Sequence, residues 1–273
     1  MMKLSKYISL TIVLGLFFTN VSLGQKPTDK IKLKKGQKIA VTTEMKSNID
    51  QAKRGKMKTD MQMLSELEVL EVTDKGYKLG ATMKKAKMKF EGFGMQQEYD
   101  SEDKEKQKGM MASAFEKQLN KTKDVEIDFQ GKAIDTDDDK SKGGMMARMG
   151  GDVKTAVEGI FLLIPDNVEV GGKWRTTTKN DGLKIITEYT YKGMMGNMAN
   201  VTANQQTKGT VAGGQGGGFT TNVNQLTQMT LMLDASTGVI SMKTIETKDD
   251  SSTEMGGETY KSYGITNMTI TAE

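Results

Sequence analysis

Apolar and polar residues alternate over most of this chain, and the alternation predicts strands. After a turn at Gly36, Ile39, Val41 and Thr43 share one face. From Met57 to Val69 the period of two is unusually long. Met57, Thr59, Met61, Met63, Leu67 and Val69 lie on one side, with Lys58, Asp60, Gln62, Glu66 and Glu68 on the other. A turn at Asp74-Lys75-Gly76 leads into Tyr77, Leu79, Ala81 and Met83. At Lys84-Lys85 the phase slips by one residue, and Ala86, Met88 and Phe90 carry the apolar face onward. A slip of one inverts the buried face, so the sequence predicts a bulge or sharp bend there. Lys84, Lys85, Lys87 and Lys89 then form the wet side of the strand.

Two stretches change to a helical period. In the first, about 102–120, Met111, Phe115 and Leu119 recur every four residues with Ala114 beside them. Asp100 or Ser101 would cap it, and Glu102, Asp103 and Glu105 suit the positive end of its dipole. The second lies within 141–165 and runs from about Asp152 to Ile164. Val153, Ala156, Val157, Ile160, Phe161 and Ile164 make its broad apolar face, and Pro165 ends it.

The second half of the chain resembles the first in pattern. VEVGGKWRTTTK (168–179) echoes LKKGQKIAVTTEMK, with Gly171 and Trp174 in the places of Gly36 and Ile39. LMLDASTGVISM (231–242) echoes VEIDFQGKAI (125–134) as strand, Asp, short turn with Gly, strand. Leu183 to Tyr191 and Tyr260 to Ile270 alternate as strands, and Gly213 to Gly218 reads as a loop. The expected fold is α+β and mainly antiparallel. Two β-meander halves, 25–140 and 166–273, are related by a weak internal repeat, and two helices between them pack on the sheet. Residues 25–273 read as one compact domain.

The first residues place the chain outside the cytoplasm. Lys3 and Lys6, the apolar run Ile8 to Phe18, and the small residues Ser22 and Gly24 have the layout of a signal peptide cut after Gly24. The run is shorter than the roughly 18 to 20 residues that span a bilayer, so no stable membrane span is expected after cleavage. The expected location is periplasmic or secreted. Setting aside Lys3 and Lys6, the 39 basic residues become 37 against 35 acidic ones. That balance argues against a nucleic-acid partner, which needs a concentrated basic face. An outer-membrane barrel is set aside because the outer faces of the strands are rich in lysine or threonine rather than lipid-compatible.

Histidine and cysteine are both absent. Serine–histidine–aspartate hydrolysis, cysteine nucleophiles and ordinary zinc sites therefore lack essential groups, and disulfides cannot form. No GxxxxGK[ST] loop is present, and a single tryptophan gives little platform for a glycosidase. The reading is a chain that is not an enzyme and needs no cofactor. Methionine is the unusual usage, at 22 residues. Met145, Met146, Met149 and Met194, Met195, Met198 share the spacing Met-Met-x-x-Met, and thioethers suit Cu(I). Packing is the commoner role of methionine, and Met57, Met61, Met63, Met83 and Met88 fit it directly. Asp135, Asp137 and Asp139 alternate as in a calcium loop, but Lys140 stands where glycine is needed and no bidentate glutamate follows.

The signal peptide, the GxK turn-strand opening each half and IPDNVEVGGKW at the centre together resemble secreted bacterial families, found mainly in Bacteroidota, that are classed as domains of unknown function. The resemblance spans most of residues 30–273 and implies a fold, with no catalytic residues to carry over. A looser likeness, of architecture alone, is to periplasmic lipoprotein and lipid carriers. The expected function is an exported, non-catalytic binding or carrier protein with an apolar concavity between curved sheet and helices. Its partner would be an apolar small molecule or an envelope protein. The alternatives are a structural or interaction module of the envelope and a Met-rich Cu(I) binder. Pro165, Gly171 and Trp174 are the expected structural landmarks, with Trp174 burying most of its ring against Val157, Ile160, Phe161 and Ile164.

Overall fold

A computed structural model describes residues 27–134, 157–180, 182–213 and 218–273. Long strands dominate it, as the period-two pattern requires. β1 (Lys38–Gln51), β2 (Gly55–Val72), β3 (Gly76–Gly92) and β4 (Met95–Asp100) form one antiparallel meander. β6 (Lys173–Asn180), β7 (Leu183–Met195), β8 (Met198–Gly213), β9 (Phe219–Asp234), β10 (Ile240–Met255) and β11 (Glu258–Ala272) form another. The meanders join where β1 pairs with β11, giving a single sheet in the order β4-β3-β2-β1-β11-β10-β9-β8-β7-β6. β5 (Thr122–Asp128) pairs with the first half of β3, on the edge that β4 occupies along its second half.

The α+β expectation is overturned: the described residues are all-β apart from one short helix, α1 (Gly109–Glu116), and a helical trace at Val157 and Glu158. The helix predicted over 102–120 shrinks to these eight residues for a local reason. Asp100 Oδ1 accepts the Glu102 N–H at 2.9 Å, and Asp103 Oδ1 accepts the Glu105 N–H at 3.0 Å. Side-chain turns of this kind compete with helix formation, so the acidic run builds turns rather than a first helical turn. Neither Asp100 nor Ser101 caps α1, whose N-cap position is Lys108.

The second predicted helix fares similarly. Residues 141–156 lie outside the described residues. Beyond them only Val157 and Glu158 are helical, and the rest of the apolar run is a strap across the β9–β10 turn. The Leu162 N–H donates to the Gly238 carbonyl at 3.1 Å, and the Ile240 N–H donates to the Ile160 carbonyl at 2.8 Å. Val157, Ile160, Phe161 and Ile164 are all buried. The apolar spacing that suggested a helix face thus reflects a segment wedged between elements. The Ile160 and Phe161 N–H groups bond back to the Val157 and Glu158 carbonyls, and beyond them the backbone turns to the hairpin for partners.

A second strap, residues 28–33, runs beside this one. Its Ile31 N–H donates to the Phe129 carbonyl and its Lys32 N–H to the Thr237 carbonyl. Both straps meet two turns that an aspartate holds in a similar way, the second one residue longer than the first. Asp128 Oδ1 accepts the N–H groups of Gln130 and Lys132 at 2.8 and 2.9 Å. Asp234 Oδ1 accepts those of Ser236 and Thr237 at 2.7 and 3.2 Å. Gly36 and Gly171, with φ near 79° and 85°, both precede a strand and donate their N–H groups to Val69 and Tyr191. These are correspondences of single turns, not of whole halves.

The phase slip at Lys84-Lys85 is a bulge. Leu64 faces Lys85 while Ser65 faces Met83, leaving Lys84 as the extra residue. Met83 and Ala86 thereby reach the same buried cluster, while Lys84, Lys85, Lys87 and Lys89 stay exposed. One face of the sheet, here called the covered face, carries α1 and both straps, and the other is the open face. The covered face holds three apolar clusters. One is Met45, Met61, Met63, Met83 and Met88 under α1. The second surrounds Ile31, Val69, Leu79 and Phe161, and the third surrounds Leu231, Leu233, Ile164 and Tyr191.

Candidate functional site

The pairing registers align one row of covered-face side chains across ten strands. It runs Trp174, Tyr189, Ala203, Met229, Ile245, Met268, Met45, Met61, Met88, Tyr99. Aromatic stacks close both ends: Trp174 on Tyr189 at 4.9 Å between centroids, and Tyr99 on the fully buried Phe115 of α1 at 4.6 Å. Along one flank lies a row of hydroxyls. There Thr227 bonds Thr247 at 3.0 Å and Ser47 bonds Thr266 at 2.8 Å.

Along the other flank the row reads Tyr191, Val201, Leu231, Lys243, Ile270, Thr43, Met63, Ala86. A lysine there breaks an otherwise apolar or neutral series, and a bulge puts it in place. Ile240 faces Leu233, but Met242 faces Met232, so Ser241 is the extra residue. Regular alternation from Ile240 would turn Met242 toward the covered face. The bulge instead turns Met242 outward, where it is 39% exposed, and Lys243 inward. Bulges commonly re-aim a side chain in this way.

Cover over this face is uneven. Leu231 and Met229 on one side, and Met45 and Met61 on the other, are buried. Between them Lys243, Ile245, Met268 and Ile270 on β10 and β11 are only half-buried. They mark a seam between the part of the sheet under α1 and the part under the straps. Burial pushes the Lys243 ammonium below the ordinary lysine pKa. Among the described residues no carboxylate forms an ion pair with it.

The open face is different in kind. A shallow open groove of about 530 Å³ crosses β8 to β11 there. Thr202, Thr230, Thr244, Thr269, Asn204 and Glu246 line it, with no aromatic side chain among its lining residues. Beside it Leu226, Tyr263 and Ile265 stand 55%, 52% and 46% exposed.

Of the residues singled out from sequence, Met145, Met146 and Met149 lie outside the described residues, as do Asp135, Asp137, Asp139 and Lys140. Met195 and Met198 face each other at the β7–β8 turn. Met194 pairs with the buried Ala199 and packs into the third cluster. These three thioethers therefore do not converge on one point. Pro165 opens a turn by accepting the Val168 N–H at 2.9 Å. Trp174 is half-buried rather than enclosed, and its partner is Tyr189 rather than a helix. Lys243 escaped the sequence reading. Its signal was the odd spacing of Ile240 and Ile245, the same phase slip that exposed the Lys84 bulge.

No family model matches the chain, and no curated protein matches it. Among solved structures it is similar to an outer membrane channel from Pseudomonas putida F1, at 8% identity over 92% of this chain and 100% of that one, with a TM-score of 0.22. OpdQ of Pseudomonas aeruginosa gives 7% identity over 88% and 99%, with a TM-score of 0.19. OccK7 of the same organism gives 6% over 87% and 99%, with a TM-score of 0.18. Superpositions this loose carry no conclusion about fold or function. Among the described residues no helix is long and apolar enough to cross a membrane.

Proposed function

We propose that this chain is an exported, non-catalytic carrier of an apolar small molecule, held on the covered face at the β10–β11 seam. The observation that carries the reading is the half-burial of Ile245, Met268 and Ile270 between buried stretches of the same rows, Met229 and Leu231 to one side and Met45, Met61 and Met63 to the other. A finished core would leave such side chains no access to solvent, whereas a binding face needs apolar groups that a ligand can cover. The seam has flexible methionine at its centre, which adapts to ligands of differing shape. The signal-like layout of the first 24 residues supports export. Native mass spectrometry after gentle purification should find an apolar molecule bound in one-to-one ratio. Protein that is ligand-free in every preparation, and that takes up no hydrophobic dye, would overturn the reading.

A second reading, an interaction module of the envelope, draws on Leu226, Tyr263 and Ile265 of the open face. Their exposure fits contact with an envelope protein. Under that reading, charged substitutions at Leu226 and Ile265 abolish a partner contact and leave dye binding intact.

A further inference from the structure

We propose that the ligand of the seam is amphipathic and anionic, a single acyl chain ending in a carboxylate, and that Lys243 is its counter-charge. This rests on the carrier reading and adds the head group. Lys243 sits where the three apolar clusters approach one another: Leu231 of one directly opposite it on β9, Ile270 beside another on β11, and Met268 of the methionine cluster one step along.

A cation in such surroundings costs free energy unless an anion meets it. Among the described residues none pairs with it. On its own strand the next covered-face carboxylate is Asp249, six residues away or about 20 Å along an extended chain. Glu158 of the strap is occupied by the Ala133 N–H at 2.8 Å, and Glu116 of α1 is exposed. The Ser241 bulge makes the placement specific, because it exchanges Met242 for Lys243 on the covered face. A carboxylate is the fitting partner for one ammonium with apolar neighbours. The acyl chain would cover Ile245, Met268 and Ile270, the half-buried side chains beside it.

The test uses the exported protein, freed of bound lipid, titrated with 11-(dansylamino)undecanoic acid and separately with its methyl ester while dansyl fluorescence is followed. Wild type should bind the acid at least about tenfold more tightly than the ester, a difference of about 1.4 kcal/mol. Lys243→Met keeps the volume and removes the charge. It should bind the ester at least as tightly as wild type does and show no more than about a twofold preference for the acid, whereas Lys243→Arg should keep the preference. Sodium acetate should not displace the acid probe, because it lacks the chain. Unchanged circular dichroism confirms that each variant is folded. Equal binding of acid and ester by wild type, a preference that survives in Lys243→Met, or displacement by acetate would each overturn the inference while leaving the carrier reading in place. Binding of neither probe would overturn both.

Discussion

Trp174 and Tyr189 lie directly opposite each other on β6 and β7, their rings 4.9 Å apart and 12° from parallel. The sole tryptophan thus secures an edge strand of eight residues that otherwise offers little apolar surface. Because the ring is half-buried, Trp174→Ala should cost about 2 kcal/mol, below the range for a fully buried aromatic. A double-mutant cycle with Tyr189→Ala should return about 1 kcal/mol of coupling. Urea unfolding followed by circular dichroism measures both. Strict additivity of the two substitutions would show that the stack contributes nothing beyond area.

Phe115 anchors α1. It is fully buried and stacks on Tyr99 with the rings 10° from parallel. Phe115→Ala should cost about 3 to 5 kcal/mol, through loss of transfer energy and an unfilled cavity. Hydrogen exchange should show α1 and β4 losing protection together, while β8 and β9 keep theirs.

Gly36 and Gly131 separate two reasons for needing glycine. Both have φ near +78° (79° and 77°), but a Cβ at Gly36 meets nothing, whereas one at Gly131 would lie 2.6 Å from Phe161 Cβ. Gly36→Ala should cost about 1 to 2 kcal/mol, the penalty of left-handed backbone alone. Gly131→Ala should cost clearly more, since overpacking adds about 1 to 3 kcal/mol. Equal losses in thermal unfolding would mean that the strap yields freely at Phe161.

Asp128 holds its turn through two accepted N–H bonds. Asp128→Ala should cost about 1 to 2 kcal/mol and Asp128→Asn markedly less, because the amide oxygen still accepts. Chemical denaturation of the pair checks the order. A matching order at Asp234 would show that the two turns work alike.

The half-buried position of Lys243 makes stability depend on pH in a predictable direction. Its folded pKa is lowered from the ordinary 10.5 by burial. Between the lowered value and 10.5 the unfolded chain binds the proton and the folded one does not, so ligand-free protein gains stability as pH rises through that window. Lys243→Met lacks this gain. It should be the more stable protein at neutral pH, with the gap narrowing as pH approaches 10.5. Parallel unfolding curves at several pH values would show it, and a gap independent of pH would mean that the ammonium is solvated.

Strands were legible in the sequence wherever one face is buried and the other wet, as from Met57 to Val69, because alternation then records the pleat directly. Even the Lys84 bulge left its mark as a change of phase. The helices were misjudged for opposite reasons. At 100–105 the acidic residues that suit a helix start suit side-chain turns equally well. At 157–164 the helical spacing arose from a strap squeezed between a turn and the sheet, a tertiary circumstance that no local pattern encodes. The seam was hidden for a related reason. Which face of β10 Lys243 joins is decided by one unpaired residue, Ser241, and the row it enters is assembled from strands distant in sequence.

The pairing of β1 with β11 has a consequence for how the molecule must come into being. Val41 meets Ala272 and Gln51 meets Ser262, so the middle of the sheet is made from the first and last strands of the described chain. Each meander can form from neighbouring hairpins, but their union has to wait for the last strand. Until then β1 and β10 are both open borders, able to pair with a stranger of the same kind. A chain interrupted before β11 would therefore be less a shortened protein than two unfinished ones, each with a sticky inner margin.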